Sequence, residues 1–257
     1  MTENPFDLGG RVAIVTGGNG GIGLGIAVGL AQAGASVVIA ARDQGKMDAA
    51  RATLEATGAA VMTVAVDVAD RGNVDKMAAA VVERFGRIDI LVANAGINIR
   101  KPPEDFTPGE WQQIMDVNMN GPFFCAQAVY PMMQRQGGGK IITIGSMASI
   151  FGLPFASPYA STKGGIVQMT KVLATAWAKD NVQANAILPG WIDTDLTKKA
   201  RKDIEGLHDR VVQRTPAGRW GEPGDFSGIA VFLASSASDF VTGAAIPVDG
   251  GYSVNGG

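Results

Sequence analysis

The sequence predicts a single doubly wound α/β domain with a parallel seven-stranded sheet and helices on both faces. Short runs rich in β-branched residues alternate with longer helical patterns from residue 12 to residue 248. The predicted strands lack polar alternation, which is typical of strands buried on both faces of a parallel sheet. The 35 glycines are about twice the usual share, and many of them stand where a strand passes into a helix. No linker divides the 257 residues, so we expect one domain over 1–257.

The elements follow one another in a βαβ rhythm. Strands are predicted at 12–16, 36–41, 61–66, 88–93, 140–144, 182–188 and 244–248. Helices are predicted at 21–34, 46–57, 73–85, 108–134, 158–179 and 223–235. The polar segment 193–216 is too long for an ordinary connection, so we expect either a lid over a substrate or a small helical excursion.

Composition and charge exclude several classes of protein. The net charge is −2 and no basic cluster is present, so we expect no nucleic-acid partner. The apolar runs are shorter than the ~20 residues of a membrane span, and the N-terminus does not resemble a secretory signal. Cys125 and His208 are single residues of their kinds, which leaves no disulfide and predicts no metal site. A cytoplasmic protein with a small-molecule substrate is therefore expected.

A glycine-rich turn follows the first predicted strand and has the sequence Thr16-Gly17-Gly18-Asn19-Gly20-Gly21-Ile22-Gly23. Glycines permit a tight turn and let backbone N–H groups approach a pyrophosphate, to which the helix N-terminus adds a partial positive charge. In the first βα turn this pattern predicts a Rossmann-type dinucleotide-binding loop. We expect its contacts to come from Gly17, Asn19, Gly21, Ile22 and Gly23. The spacing T-G-x-x-x-G-x-G differs from the common dinucleotide fingerprint.

This variant spacing resembles the short-chain dehydrogenase/reductase family, and further motifs occur in the family's order over nearly the whole chain. They are Asp67-Val68, Asn94-Ala95-Gly96, Asn118, Ser146, Tyr159-Ala160-Ser161-Thr162-Lys163, Pro189-Gly190 and Thr194. The interval of 13 residues between Ser146 and Tyr159 also matches. The resemblance implies reversible hydride transfer between nicotinamide C4 and a carbon that bears an alcohol or ketone.

Tyr159 and Lys163 are spaced i, i+4 and therefore share one helix face. An ammonium group near a phenol lowers the phenol pKa, so Tyr159 could exchange a proton with a substrate oxygen near neutral pH. Taken alone, such a pair is more often an ordinary amphipathic pair on a helix. Ser146 follows a central strand, at the edge where open α/β sheets bind ligands, and could hold the same oxygen.

Asn118 is a polar residue in an apolar stretch, where a satisfied core amide is the plain interpretation. The resemblance instead implies that it holds a water that relays protons from Lys163; Asn120 is the rival on the same helix, but the family pattern matches Asn118. Asn118, Ser146, Tyr159 and Lys163 are thus the predicted catalytic residues.

The resemblance also implies the remaining cofactor contacts. Lys163 and Tyr159 are expected at the nicotinamide ribose, and Asp67 and Val68 at the adenine. Further contacts are expected from Asn94, Ala95, Gly96, Pro189, Gly190, Ile192 and Thr194.

The residues at the end of the second strand favour NADP, with NAD as the second choice. NAD-binding members usually have an acidic residue there that bonds the ribose 2′-hydroxyl, whereas this chain has Ala41 followed by Arg42. Arginine can bind a 2′-phosphate bidentately and stack on adenine. Against this, Asp43 could neutralise Arg42, and no basic residue accompanies Asn19 in the loop.

For the substrate pocket we expect Ser146, Ala148, Ile150, Tyr159 and Trp191, covered by the lid. The C-terminal part of the chain is most similar to the branch of the family that contains gluconate 5-dehydrogenase and 2-deoxygluconate 3-dehydrogenase. That similarity implies a sugar acid or a related small hydroxylated substrate. The cations Arg100 and Lys101 would lie near the pocket mouth, unless they belong to a solvated surface.

Three alternatives remain open from the sequence. One is a 3-oxoacyl-carrier-protein reductase-like ketoreductase. Another is a catalytically silent NADP-binding sensor or scaffold, against which the intact catalytic set argues. The third is a methyltransferase on a similar sheet, which has no need of a Tyr-x-x-x-Lys face.

Two predicted helices carry more apolar residues than one face can bury, which indicates a contact between subunits. These residues are Phe123, Phe124, Ala126, Val129, Ile166, Val167, Met169, Leu173 and Trp177. As in the family, we expect a homotetramer with a four-helix contact, and a second interface at 245–251.

Overall fold

The computed structural model describes residues 4–256, so the ends of the predicted domain, 1 and 257, lie outside the described residues. In the described chain the strands form one sheet. They are β1 (Val12–Thr16), β2 (Ser36–Ala41), β3 (Val61–Ala65), β4 (Ile90–Ala93), β5 (Gly139–Ile144), β6 (Val182–Pro189) and β7 (Ala245–Val248). The order is β3-β2-β1-β4-β5-β6-β7 and each neighbouring pair is parallel. The predicted fold class is confirmed.

Helices connect the strands and cover the sheet. They are α1 (Gly21–Gln32), α2 (Gln44–Glu55), α3 (Arg71–Phe85), α4 (Pro108–Met115), α5 (Gly121–Arg135), α6 (Ser157–Trp177), α7 (Asp195–Asp203), α8 (Leu207–Arg214) and α9 (Ser227–Ala234). Most begin or end within two residues of the predicted bounds, because the apolar periodicity that predicts them also drives their burial.

The sheet separates two apolar layers. Ile14 and Val15 are neighbours on β1, yet their side chains belong to opposite layers, as the alternation of a strand requires. One layer packs against α1, α2 and α9, and the other packs against α3, α5 and α6. Burying one such side chain contributes about 1.5–3 kcal/mol, so the two layers hold the strand ends rigidly in place.

The helix predicted at 108–134 is interrupted by a π-helical turn at Asp116–Asn120. Pro122 gives the local reason: it has no N–H to donate to the carbonyl four residues earlier, which is that of Asn118, and its ring would clash with that carbonyl. The wider π turn closes instead through the Gly121 N–H, which donates to the Asp116 carbonyl. The predicted single helix is therefore two helices joined at Asn118.

The polar segment 193–216 is not an irregular loop. It forms α7 and α8, which pack on each other and on Trp220 through Ala200, Leu207 and Val211. Arg201 lies over the Trp220 ring at 4.1 Å and forms an ion pair with Asp193. These contacts attach the two helices to the body of the domain beside the carboxyl edge of the sheet.

The single cysteine and the single histidine both have structural surroundings with no catalytic partner named in the sequence analysis. Cys125 is 1% exposed in the core, and His208 is an exposed residue of α8 with its ring stacked on that of Trp220. Within residues 4–256, no helix has both the length and the apolar character needed to cross a membrane. The same described residues contain no group of His, Cys, Asp or Glu side chains arranged to hold a metal ion.

Candidate active site

The strand order reverses direction at β1 and β4, and a crevice opens at their carboxyl ends. Its volume is about 470 Å³. Most of the predicted cofactor residues line it: Gly17, Asn19, Gly21, Ile22, Gly23, Arg42, Asp67, Val68, Asn94, Ala95, Gly96 and Thr194. Residues from five separated stretches of the chain therefore face one cleft.

The glycine loop fits a pyrophosphate. Gly20 provides no side-chain cap to α1, and the first turn of α1 carries no acidic residue, whereas α2 and α3 are capped by Asp43 and Asp70. The N–H groups at the start of α1 are thus left for a ligand. Gly17 has φ +65°, and a side chain on Gly23 would stand 2.4 Å from the Gly17 carbonyl oxygen. Only glycine lets this loop lie so close to the helix.

Thr16 and Asn94 join the ends of β1 and β4. The Thr16 hydroxyl accepts the N–H groups of Asn94 and Ala95 at 3.0 and 3.1 Å. The Asn94 amide donates to the Thr16 carbonyl at 2.9 Å. The predicted contact residue Asn94 therefore also fixes the shape of the glycine loop, and Thr16 is a partner in this role that the sequence reasoning missed.

Arg42 lies exposed at one end of the cleft, with Asp43 and Lys46 beside it. Asp43 caps α2 by accepting the Lys46 N–H at 3.0 Å, and in the described part of the chain Arg42 has no ion-pair partner. The described contacts therefore do not include the ion pair by which Asp43 could have neutralised Arg42. Lys46 is a second cation here, missed from the sequence, and its Nζ lies 3.6 Å from Asp195 Oδ2.

Residues of the segment after β6 line two different hollows, the cofactor cleft and a second cavity. Thr194 lines the cleft, and Gly190 lines a second cavity next to it. Ile192 is only 3% exposed, and Pro189 ends β6 as a buried residue. A side chain on Gly190 would meet the Asp249 backbone at 2.7 Å, so glycine is required where β6 and β7 end together.

Three of the predicted catalytic residues meet at the end of β5. Ser146 and Tyr159 both line the second cavity, and the Ser146 side chain lies close enough to lower the pKa of the Tyr159 phenol. Lys163 is 6% exposed; its Nζ donates to the Ile144 carbonyl at 2.7 Å and lies 5.6 Å from the centroid of the Tyr159 ring. The structure thus brings these three together as predicted.

Ser149 connects the turn that carries Ser146 to the helix that carries Lys163. Its hydroxyl donates to the Lys163 carbonyl at 2.6 Å and accepts the Ser146 N–H at 3.1 Å. The Ser146 hydroxyl in turn accepts the Ala148 N–H at 3.1 Å. The turn after β5 is therefore tied to the first part of α6. No signal in the sequence pointed to Ser149.

The pKa of Tyr159 is shifted in the direction opposite to the one expected from the sequence. Burial raises the pKa of the Tyr159 phenol, while the Ser146 hydrogen bond and the charge of Arg100 act in the opposite direction. Burial also lowers the pKa of Lys163, to about 8. The lowering expected from Lys163 is not among the causes of this shift, and the Lys163 ammonium donates to the Ile144 carbonyl. In this state Tyr159 is a protonated acid at neutral pH.

Asn118 lies in the π turn and is 1% exposed. Its side chain pairs with the backbone of Ile97: Nδ2 donates to the carbonyl at 2.9 Å, and Oδ1 accepts the N–H at 2.8 Å. The side chain is therefore a satisfied core amide that fixes the loop after β4. Its backbone carbonyl is the group that Pro122 leaves without an α-helical donor. The water relay stays a prediction.

The second cavity has a volume of about 430 Å³. Besides Ser146, Tyr159 and Trp191, which were predicted, it is lined by Asn98, Arg100, Met147, Phe151, Gly152, Leu153, Pro154, Phe155, Ala156, Gly190, Thr197, Ile204, Arg214 and Tyr252. Ala148 and Ile150, also predicted, are not among its lining residues. Ala148 is 6% exposed and Ile150 is 50% exposed. The turn after β5 directs Met147 and Phe151 into the cavity instead.

Of the two cations expected near the mouth, one lines the cavity. Lys101 forms an ion pair with Glu110 and is thereby occupied. Arg100 lines the cavity close enough to Tyr159 for its charge to lower that pKa. The ion pair between Lys101 and Glu110 depends on the folded structure, so the sequence alone could not show which of Arg100 and Lys101 lines the cavity.

Comparison with known proteins agrees with this geometry. Residues 17–253 match the family model described as enoyl-(acyl carrier protein) reductase. The gluconate 5-dehydrogenase of Gluconobacter oxydans (strain 621H) is 42% identical over 250 residues, which are 97% of each chain. The 2-dehydro-3-deoxy-D-gluconate 5-dehydrogenase of Dickeya dadantii (strain 3937) is 41% identical over 98% of this chain and 99% of its own.

Among solved structures, a gluconate 5-dehydrogenase from Burkholderia cenocepacia J2315 in complex with NADP and tartrate superposes with a TM-score of 0.92. It is 43% identical, and the match covers 97% of this chain and 98% of that one.

Fold, cleft and proton-transfer residues together define a dinucleotide-dependent oxidoreductase. The chain belongs to the short-chain dehydrogenase/reductase family. The predicted class of enzyme, which acts on CH–OH groups, is confirmed.

Proposed function

We propose that the protein is an NADP-dependent dehydrogenase that interconverts a secondary alcohol and a ketone on a sugar acid. The observation that carries this is the position of Tyr159 and Ser146. They line the second cavity, while Lys163 next to them lies beside Gly96, which lines the cleft. A substrate in the cavity and a nicotinamide at the near end of the cleft would meet at this point.

The chain's own residues supply the proton chemistry. In reduction the Tyr159 hydroxyl donates its proton to the substrate oxygen, and in oxidation it takes that proton back. Ser146 holds the same oxygen through its hydroxyl. When bound, the nicotinamide supplies or accepts the hydride. We infer that Lys163 bonds the ribose of the bound cofactor and returns the proton to Tyr159, with Asn118 as the next member of the relay.

NADP rather than NAD is supported by charge. Arg42 and Lys46 lie at the cleft end that follows β2, where the adenosine 2′-phosphate of a dinucleotide is bound in this fold. Ala41 places no carboxylate there. A bidentate arginine contact with a phosphate suits this position.

A sugar acid is supported by the polar lining of the cavity. Arg100 and Arg214 offer positive charge to a carboxylate, and Asn98 and Thr197 offer partners to hydroxyl groups. Relatives whose names include gluconate cover nearly the whole chain at about 40% identity. We propose that α7 and α8 form the lid over this substrate, since Thr197, Ile204 and Arg214 line the cavity from these helices or the turn between them.

The test is a steady-state assay at 340 nm on the purified full-length enzyme. D-gluconate with NADP⁺ and 5-keto-D-gluconate with NADPH form the sugar-acid arm, with NAD⁺ and NADH as matched cofactor controls. Turnover with NADP(H) that exceeds turnover with NAD(H) is the expected result. Binding of NADPH without turnover of any carbonyl compound would overturn the enzyme assignment and would indicate an NADP-binding sensor or scaffold.

A second candidate rests on the apolar walls of the cavity. Met147, Phe151, Leu153, Phe155 and Trp191 suit a less polar ketone, a class that includes 3-oxoacyl thioesters. The same assay therefore includes cyclohexanone derivatives and a 3-oxoacyl thioester. A kcat/KM for these that exceeds that of the sugar acids selects the second candidate.

We further propose a cytoplasmic homotetramer. Five of the nine apolar residues expected at an interface are instead buried within the chain: Ala126, Val129, Ile166, Met169 and Leu173. Phe123 and Val172 remain exposed on α5 and α6, at 38% and 62%. Sedimentation velocity at micromolar concentration should give the tetramer mass; a monomer would refute this assembly.

A further inference from the structure

Arg214 is held by aromatic rings at the wall of the substrate cavity. Its guanidinium carbon lies 4.3 Å from the centroid of the Tyr252 ring and 5.1 Å from that of Phe151. The three side chains all line the cavity, although they come from the end of α8, the segment after β7 and the turn after β5. The position of the guanidinium is therefore fixed by packing before any substrate arrives.

The N–H groups of Arg214 are left without an acidic partner. Within residues 4–256 its side chain forms no ion pair, whereas Arg201 on the same lid is paired with Asp193. A guanidinium stacked on rings keeps its donors in the plane of the fork, directed away from the ring faces. A cation arranged in this way is suited to a carboxylate, which accepts two parallel hydrogen bonds.

We propose that Arg214 binds the carboxylate of the substrate and determines specificity for sugar acids. The inference rests on the proposed function and names the residue that would recognise the acid group. This proposal assigns recognition of the carboxylate to Arg214 on α8 rather than to Arg100, which lies in the loop after β4.

The position of Arg100 supports this division. Arg100 lines the cavity near enough to Tyr159 for its charge to lower the pKa of the phenol, whereas Arg214 lies against the rings of Phe151 and Tyr252. In a hexonic acid oxidised at C5, the carboxylate is separated from the reacting carbon by three carbons. The arginine that acts on the reacting end is therefore not the one expected at the acid end.

The experiment compares a charged substrate with a neutral one of the same shape. We would measure kcat and KM for D-gluconate and for D-gluconamide with NADP⁺, using wild type, Arg214→Met and Arg214→Lys. Methionine keeps apolar contact with the two rings, and lysine keeps the charge without the fork. Arg210→Met is the matched control, because Arg210 is exposed one turn earlier on the same helix.

Arg214→Met should raise KM for gluconate about tenfold or more, since hydrogen bonds to a charged group are being removed. KM for gluconamide and KM for NADP⁺ should stay within about twofold of wild type, and lysine should restore part of the loss. Arg210→Met should behave as wild type. An equal rise in KM for gluconate and gluconamide would show a purely structural role and overturn the proposal, as would no rise at all.

Tartrate binding separates this inference from the proposed function. Titration of tartrate into the enzyme with NADP⁺, followed by calorimetry, needs no turnover. Weaker binding by about tenfold in Arg214→Met supports the carboxylate site even if gluconate is not turned over, an outcome that would refute only the proposed substrate. Equal binding by wild type and variant refutes the site.

Discussion

Replacing Lys163 by methionine should stabilise the protein in the absence of cofactor. Lys163 is 6% exposed, and the one described hydrogen bond of its ammonium group is donated to the Ile144 carbonyl. No carboxylate among the described residues forms an ion pair with it. Burial lowers its pKa from 10.5 to about 8, which means that the folded protein holds this charge at a cost.

The magnitude follows from linkage. Each pKa unit is worth about 1.4 kcal/mol, so this charge opposes folding by about 3 kcal/mol at pH 7. The unfolded chain binds the proton more tightly, so the cost is complete below pH 8 and decreases as the pH rises towards 10.5. Losing the hydrogen bond to Ile144 costs about 1 kcal/mol. The net gain at pH 7 is therefore about 2 kcal/mol, or roughly 4–8 °C in Tm for a chain of this size.

The assay is thermal and urea unfolding of wild type, Lys163→Met and Lys171→Met at one protein concentration. Lys171 is exposed on the same helix, so its variant should lie within about 0.5 kcal/mol of wild type. At pH 10 the advantage of Lys163→Met should vanish, because the cost of the charge has dropped to about 1 kcal/mol. Saturating NADP⁺ should raise the Tm of wild type more than that of the variant. A variant less stable than wild type at pH 7, or an advantage that does not change with pH, would refute the reasoning.

Two further predictions concern activity and cofactor. Tyr159→Phe should lower kcat by about 10²–10⁴-fold, since it removes the proton donor, and should change NADPH affinity much less, since the other expected cofactor contacts remain. Kinetics and a fluorescence titration check this, and retention of more than a tenth of kcat contradicts it. Arg42→Ala should weaken NADPH binding by about 1.5–3 kcal/mol and leave NADH binding unchanged, and Ala41→Asp should also shift the kcat/KM ratio towards NADH. If the ratio does not move in these variants or in the double variant, Arg42 does not contact the 2′-phosphate.

The sheet was the most predictable part of the molecule. The strands Val12–Thr16 and Ser36–Ala41 have the predicted bounds, because apolar β-branched runs buried on both faces have few alternatives. Parallel strands bring their carboxyl ends to one edge. Motifs separated by up to about half the chain, such as the glycine loop and Tyr159, could therefore be assigned to one site.

Features that depend on local detail were not predictable in the same way. The spacing of Tyr159 and Lys163 gives a shared helix face, but it does not show that the ammonium is directed to the Ile144 carbonyl. Nor does that spacing show how deeply the phenol is buried, and this burial raises the pKa of Tyr159 where a lowering was expected. The choice of Ala148 and Ile150 failed for a similar reason, since the short helical turn at Met147–Ser149 decides which side chains enter the cavity.

Reaction and specificity come from different parts of this fold. Ser146, Tyr159 and Lys163 stand on rigid elements next to the central sheet, so their geometry is set by packing that any substrate would encounter. Arg214, Phe151 and Tyr252 come from the lid, a turn and the C-terminal segment, which meet only at the cavity wall. Changes in those three segments can alter the charge and shape of the cavity while leaving the proton-transfer residues in place. We therefore expect contacts between distant segments to decide the substrate range of this chain, and motifs along the strands to carry little information about it.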